Sequence, residues 1–207
     1  MNRFLITTGI AALMATAASA GTVTYDTVGT FLSCGAASSC VQNTLTQVTL
    51  GGSLVINYIS SSGLNVVTPS FINLGDIVTS GTGSALLTNG LKLTIQVNSN
   101  PPGAAGFISG GAISGTISSN NSGAQLTFGP ANTITTFGTL PGTYIGTTVI
   151  YQVTNTTLAL QAPTVGNPLG QTTIQGAVTQ TGTPEPSTML MLSSGLVAVY
   201  FGRKRLS

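Results

Sequence analysis

Charge is what this sequence lacks most. Only 4% of its 207 residues are ionised side chains, against about 25% in typical soluble domains. Arg3 sits at the N-terminus, and Arg203, Lys204 and Arg205 sit at the C-terminus. Between Gly21 and Thr183 the charged residues are Asp26, Asp76 and Lys92. A basic nucleic-acid-binding face is excluded, because such affinity comes mostly from Lys and Arg neutralising phosphates. Histidine and tryptophan are absent altogether. The first absence removes the commonest general base near neutral pH. The second removes the usual flat platform for a sugar ring. With two cysteines and no histidine, the soft-ligand set for a metal is also missing. No cofactor is expected.

What is present is Thr, Val, Ile, Ser, Asn and Gly. The β-branched residues favour strands, and Gly and Asn favour tight turns. Alternation is clearest from Leu91 to Asn98, where Leu91, Leu93, Ile95 and Val97 interleave with Lys92, Thr94, Gln96 and Asn98. Leu54, Ile56 and Tyr58 form a second set, Val149, Tyr151 and Val153 a third, and Ile174, Gly176 and Val178 a fourth. Weaker candidates span 23–31, 45–50, 71–78, 113–117, 126–128, 134–137 and 158–160. Gly51-Gly52, Asn89-Gly90, Pro101-Pro102-Gly103, Asn120 to Gly123, Gly129-Pro130 and Pro141-Gly142 punctuate them. Asn89-Gly90 predicts a two-residue hairpin turn. The expected fold is all-β, an antiparallel β-sandwich of jelly-roll type with about ten strands, over residues 21–182. No short repeat suggests a solenoid.

The two ends read as addresses. Arg3 precedes an apolar stretch from Phe4 to Ala15, and Ala18-Ser19-Ala20 is an A-x-A cleavage site. Residues 1–20 are therefore expected to be a helical signal peptide, with Ala18 and Ala20 read by signal peptidase and Gly21 as the first mature residue. At the other end, Ser187 to Gly202 gives a 16-residue apolar run, short of the about 20 that a stable span uses. Arg203, Lys204 and Arg205 follow it as a cytoplasmic membrane stop. Pro184-Glu185-Pro186 precede it, and the prolines favour an extended backbone there.

This tail, Pro-Glu-Pro then a hydrophobic helix then a basic cluster, resembles the PEP-CTERM sorting signal of Gram-negative bacteria. The resemblance covers Pro184 to Arg205 and assigns residues 183–207 to a sorting and anchor segment. It implies a membrane-embedded, transpeptidase-like processing enzyme, exosortase, for which Pro184, Glu185 and Pro186 are recognition residues. It also implies export through the inner membrane, transient anchoring, and a final place at the cell surface or outside the cell. Proteins with such tails are often associated with exopolysaccharide and biofilm, which makes exopolysaccharide an expected partner.

Chemistry inside the body is thinly supplied. Asp26 and Asp76 are its two carboxylates; Asp26 reads as a turn or wet-strand-face residue and Asp76 as one that caps or terminates a strand, rather than as a catalytic dyad. Lys92 reads as an edge or surface charge. Cys34 and Cys40 are separated by five residues, and the exported context favours a disulfide over two thiols or a metal site. An enzyme is thus the least favoured class. The leading expectation is a structural protein of the surface or matrix. A carbohydrate-binding module is the first alternative, with Tyr25, Tyr58, Tyr144 and Tyr151 standing in as platforms, although Tyr58 and Tyr151 lie on apolar strand faces and read as core. A self-assembling β subunit is the second, because low charge leaves strand edges unguarded.

Overall fold

A computed structural model describes residues 21–33, 40–100, 104–129, 134–137, 148–181 and 195. The expected signal-peptide helix and the expected tail helix (Gly195 apart) lie outside them, as do Cys34 and Tyr144. Among the described residues the protein is built from strands, and no helix is long and apolar enough to cross a membrane.

Among the described residues, fourteen strands form two antiparallel sheets. The first sheet contains β1 (Thr22–Ser33), β5 (Leu64–Val67), β7 (Ser84–Asn100), β8 (Ala104–Ser118), β10 (Gln125–Phe128) and β13 (Thr157–Ala159). Its order is β13-β10-β8-β7-β1-β5, with the two-residue β9 (Asn121–Ser122) added on β8. The second sheet contains β2 (Val41–Thr44), β3 (Gln47–Leu50), β4 (Leu54–Ile59), β6 (Ser70–Ser80), β11 (Ile134–Phe137), β12 (Thr148–Val153) and β14 (Leu169–Thr181). Its order is β11-β12-β14-β6-β4-β3-β2.

The core follows from the period-two pattern. Leu91, Leu93, Ile95 and Val97 of β7 are all fully buried, as are Val23, Tyr25 and Phe31 of β1. From the facing sheet come Leu54, Ile56 and Tyr58, Leu74 and Ile77, Val149 and Tyr151, and Ile174 and Val178. These residues make one cluster between the sheets. Burying it supplies the main stabilisation, at roughly 25 cal/mol per Å² of apolar surface.

Three sequence expectations need correction. Asn89-Gly90 is not a hairpin turn. It lies inside β7, whose two halves both pair with β8. Leu87 faces Gly115 and Leu91 faces Ile113, so β7 carries extra residues there and absorbs them as a bulge. Lys92 is exposed, but β7 is flanked by β8 and β1, so it is a mid-sheet charge and not an edge guard. Asp76 does not end a strand. It lies within β6, just past a bulge at Gly75, which has a φ of +128°.

Candidate functional site

Two regions of the body are candidates for a site: the pole that gathers Gly21, Thr68 and Gln180, and the face of β6 and β14 beside it.

The pole is tied by Thr68, in the link from β5 to β6. Its backbone N–H donates to the Gly21 carbonyl at 2.7 Å, and the Gly21 N–H donates to the Thr68 hydroxyl at 3.2 Å. That hydroxyl also lies 3.0 Å from the Gly21 carbonyl and 3.1 Å from Gln180 Oε1 near the end of β14. Thr68 and Gln180 are both buried. A methyl group on Gly21 would fall 2.0 Å from Gln180 Oε1, so glycine permits the close approach. Thr68, 112 residues from Gln180 in the chain, thereby holds the start of β1 and the end of β14 at one end of the sandwich. Nothing in the sequence marks this link. Thr68 and Gln180 are ordinary polar residues in strand-rich surroundings, and no spacing rule joins them.

Beside the pole, Phe71, Ile72, Asn73, Thr173 and Gln175 line a shallow depression of about 520 Å³. Phe71 is 83% exposed. Asp76 ties two of these lining residues together. It accepts from the Thr173 hydroxyl at 2.6 Å and from Asn73 Nδ2 at 3.4 Å. The Gly75 bulge is fixed from below by two tyrosines. Tyr25 donates to the Asn73 carbonyl at 2.8 Å, and Tyr58 donates to the Leu74 carbonyl. Tyr58 also bonds to the buried Thr27 hydroxyl at 3.1 Å.

These tyrosines answer the platform question. Tyr25, Tyr58 and Tyr151 are 1%, 3% and 0% exposed, so none offers a face to a sugar. They are core residues with satisfied hydroxyls, Tyr151 sharing a hydrogen bond with Ser99 at 2.7 Å. Burial pushes the Tyr25 hydroxyl up to about 12, with a backbone hydrogen bond at Asn73 opposing the rise and Tyr151 nearby adding to it. Burial raises Tyr58 and Tyr151 as well. All three stay protonated donors at neutral pH.

The two carboxylates do not form a dyad. Asp26 belongs to β1 of the first sheet and accepts from the Gly63 N–H at 2.5 Å. Asp76 belongs to β6 of the second. Both alternate with buried neighbours and point outward, so the core layer lies between them. Cys40 is partly buried and rests against the core just before β2. Cys34, Ala18, Ala20, Pro184, Glu185, Pro186, Arg203, Lys204 and Arg205 lie outside the described residues. Among the described residues no group of His, Cys, Asp and Glu gathers as a metal site.

Comparison with curated proteins and with solved structures returns no match. Comparison with family models returns one, and it falls on the tail that leaves β14: over residues 183–205 the chain carries the PEP-CTERM protein-sorting motif, the mark of an exported protein that is transiently anchored in the membrane and processed by an exosortase-type enzyme.

Proposed function

We propose that the protein is a non-catalytic structural component of the surface or extracellular matrix of a Gram-negative bacterium, linked to exopolysaccharide and biofilm. Its body is delivered by the two end segments. Signal peptidase removes residues 1–20 after Ala20, and the exosortase-type enzyme acts at Pro184-Glu185-Pro186 while the apolar run and Arg203, Lys204 and Arg205 hold the membrane. The observation that carries the reading is the sorting motif at residues 183–205, joined to a body whose charged side chains are Asp26, Asp76 and Lys92. A neutral surface of hydroxyls and amides suits a hydrated polysaccharide layer, where charge would instead recruit counter-ions. Cys34 and Cys40 close a small disulfide loop ahead of β2, worth roughly 2 to 2.5 kcal/mol by loop-closure entropy.

Fractionation of the native host, with intact mass of the mature form before and after reduction and alkylation, tests all of this. The expected result is an extracytoplasmic species beginning at Gly21, truncated at the motif, with both thiols protected until reduced. Full-length protein in the cytosol would sink the reading.

Self-assembly is a second reading with an observation of its own. The edge strand β5 exposes Leu64 and Val67, and the edge strand β2 is exposed throughout, with no charged residue on either. Such edges lack the usual protection against pairing with another chain. Sedimentation velocity across a concentration series tests it, and a single monomeric boundary at high concentration would count against it.

A further inference from the structure

We propose that the pole carrying Val67, Pro69 and Phe71 is a membrane-contact surface, seated on the lipid headgroups while the tail is anchored. The proposal rests on the anchoring of the tail and adds which part of the body meets the bilayer.

Three observations converge on this end. The first is where the chain goes. β14 ends at Thr181 and the sorting motif begins at residue 183. At about 3.5 Å per residue, Pro184 lies within roughly 10 Å of Thr181 and Met189 within roughly 28 Å. A body tethered this closely cannot leave the headgroup region far behind while the apolar run is inserted. Through Thr68, the Gly21 end is held at the same pole, so the leader and the tail approach the membrane from one side.

The second is an apolar crest at that end. Where the chain turns from β5 to β6, exposed residues alternate with a buried one: Val67 is 63% exposed, Thr68 buried, Pro69 exposed, and Phe71 83% exposed. Single exposed apolar side chains are ordinary on a protein surface. Three along five residues, rounding the corner of the sandwich from which the tail departs, form a contact edge. The register places them there. Val67 faces Thr22, the first residue of β1, and Phe71 faces Ala177, four residues from the end of β14.

The third is electrostatic. No charged residue occurs in 21–24, 66–72 or 175–181, the segments that build this end. The surface meets zwitterionic and anionic headgroups alike without a desolvation penalty for an ion. Exposed Thr22 and half-buried Ser70 supply hydroxyls at headgroup level, beside an aromatic ring of the kind found at bilayer interfaces. The opposite end also exposes Val165 and Leu169, but β14 begins there, about 40 Å from Thr181 along the strand. That end provides the control.

The absence of tryptophan makes the test clean. Phe71→Trp, Val67→Trp and Val165→Trp are prepared in the full-length chain, each with a single indole at an exposed site. Each is reconstituted into phosphatidylcholine vesicles containing lipids brominated near the top of the acyl chain. Vesicle flotation reports anchoring, and indole quenching reports contact. The expected result is flotation of all three, with blue-shifted emission and several-fold greater quenching at positions 71 and 67 than at 165. Flotation with equal quenching, or with none, overturns the proposal and leaves anchoring intact. Shielding at position 71 that depends on protein concentration and not on brominated lipid assigns the crest to a second copy, and also overturns it. Failure to float removes the anchoring on which the proposal rests, and the proposal with it.

Discussion

Gly29→Ala is a severe test of how the two sheets are held together. Gly29 lies in the middle of β1, opposite Ile95 of β7, and faces the core. A methyl group there would fall 2.4 Å from Tyr58 Cγ and Cδ1 and 2.6 Å from Cδ2. Carbon atoms settle at about 3.5–4.0 Å, so the overlap exceeds about 1 Å. The ring cannot swing clear. Cγ is one bond from its own Cβ on β4, and the hydroxyl at the far end is fixed to Leu74 and Thr27. Relief must come from separating the sheets or breaking the tyrosine's hydrogen bonds. The cost belongs at the upper end of overpacking, about 3 kcal/mol. For a domain of this size that lowers Tm by roughly 6–12 °C. The assay is urea unfolding of the full-length chain in mild detergent, followed by far-UV circular dichroism. Gly166→Ala is the reference, because nothing lies near that position, and reduced unfolded-chain entropy makes it neutral or slightly stabilising. Tyr58→Phe supplies a second check. Phenylalanine keeps Cγ, Cδ1 and Cδ2, so the penalty for Gly29→Ala must persist in that background. The reasoning fails if Gly29→Ala is as stable as Gly166→Ala, or if Tyr58→Phe abolishes the difference.

Three other outcomes are expected. Stability should fall at alkaline pH: burial pushes the Tyr25 hydroxyl from its usual 10.0 up to about 12 in the fold, so its contribution is complete below pH 10 and is lost as pH rises through about 12. Phenolate absorbance and circular dichroism should therefore change together in that window. Thr94→Val should be neutral or stabilising by about 1 kcal/mol, because Thr94 Oγ1 is buried without a hydrogen-bond partner; a clear loss in urea unfolding would contradict that. Glu185→Gln and Pro186→Ala, in the sorting motif, should leave the fold unchanged and cause an unprocessed membrane form to accumulate, seen as a slower band on immunoblots of the host; normal maturation of both would argue against recognition at these residues.

Sequence legibility follows the physics of each element. Strands that bury one face, such as β4, β7 and β14, announce themselves by alternation, and their inward residues are core as expected. β2 and β5 do not, because nearly every side chain in them is exposed and no period survives. Asn89-Gly90 misleads because hairpins and bulges both favour residues that tolerate unusual backbone angles. Only the partner strand decides, and β8 runs alongside both halves of β7. The tail motif is legible because an enzyme reads it as linear sequence. The knot of Gly21, Thr68 and Gln180 is not, because it depends on long-range register.

That knot also has a practical side. Reporters fused at Gly21 and after Thr181 would emerge side by side at one end of the body. The turn around Gly166, exposed and with empty space about it, opens at the far end of the longest route along β14. A peptide inserted there would stand at the end opposite Gly21 and Thr181, so this protein is built to be tagged in its middle rather than at its tips.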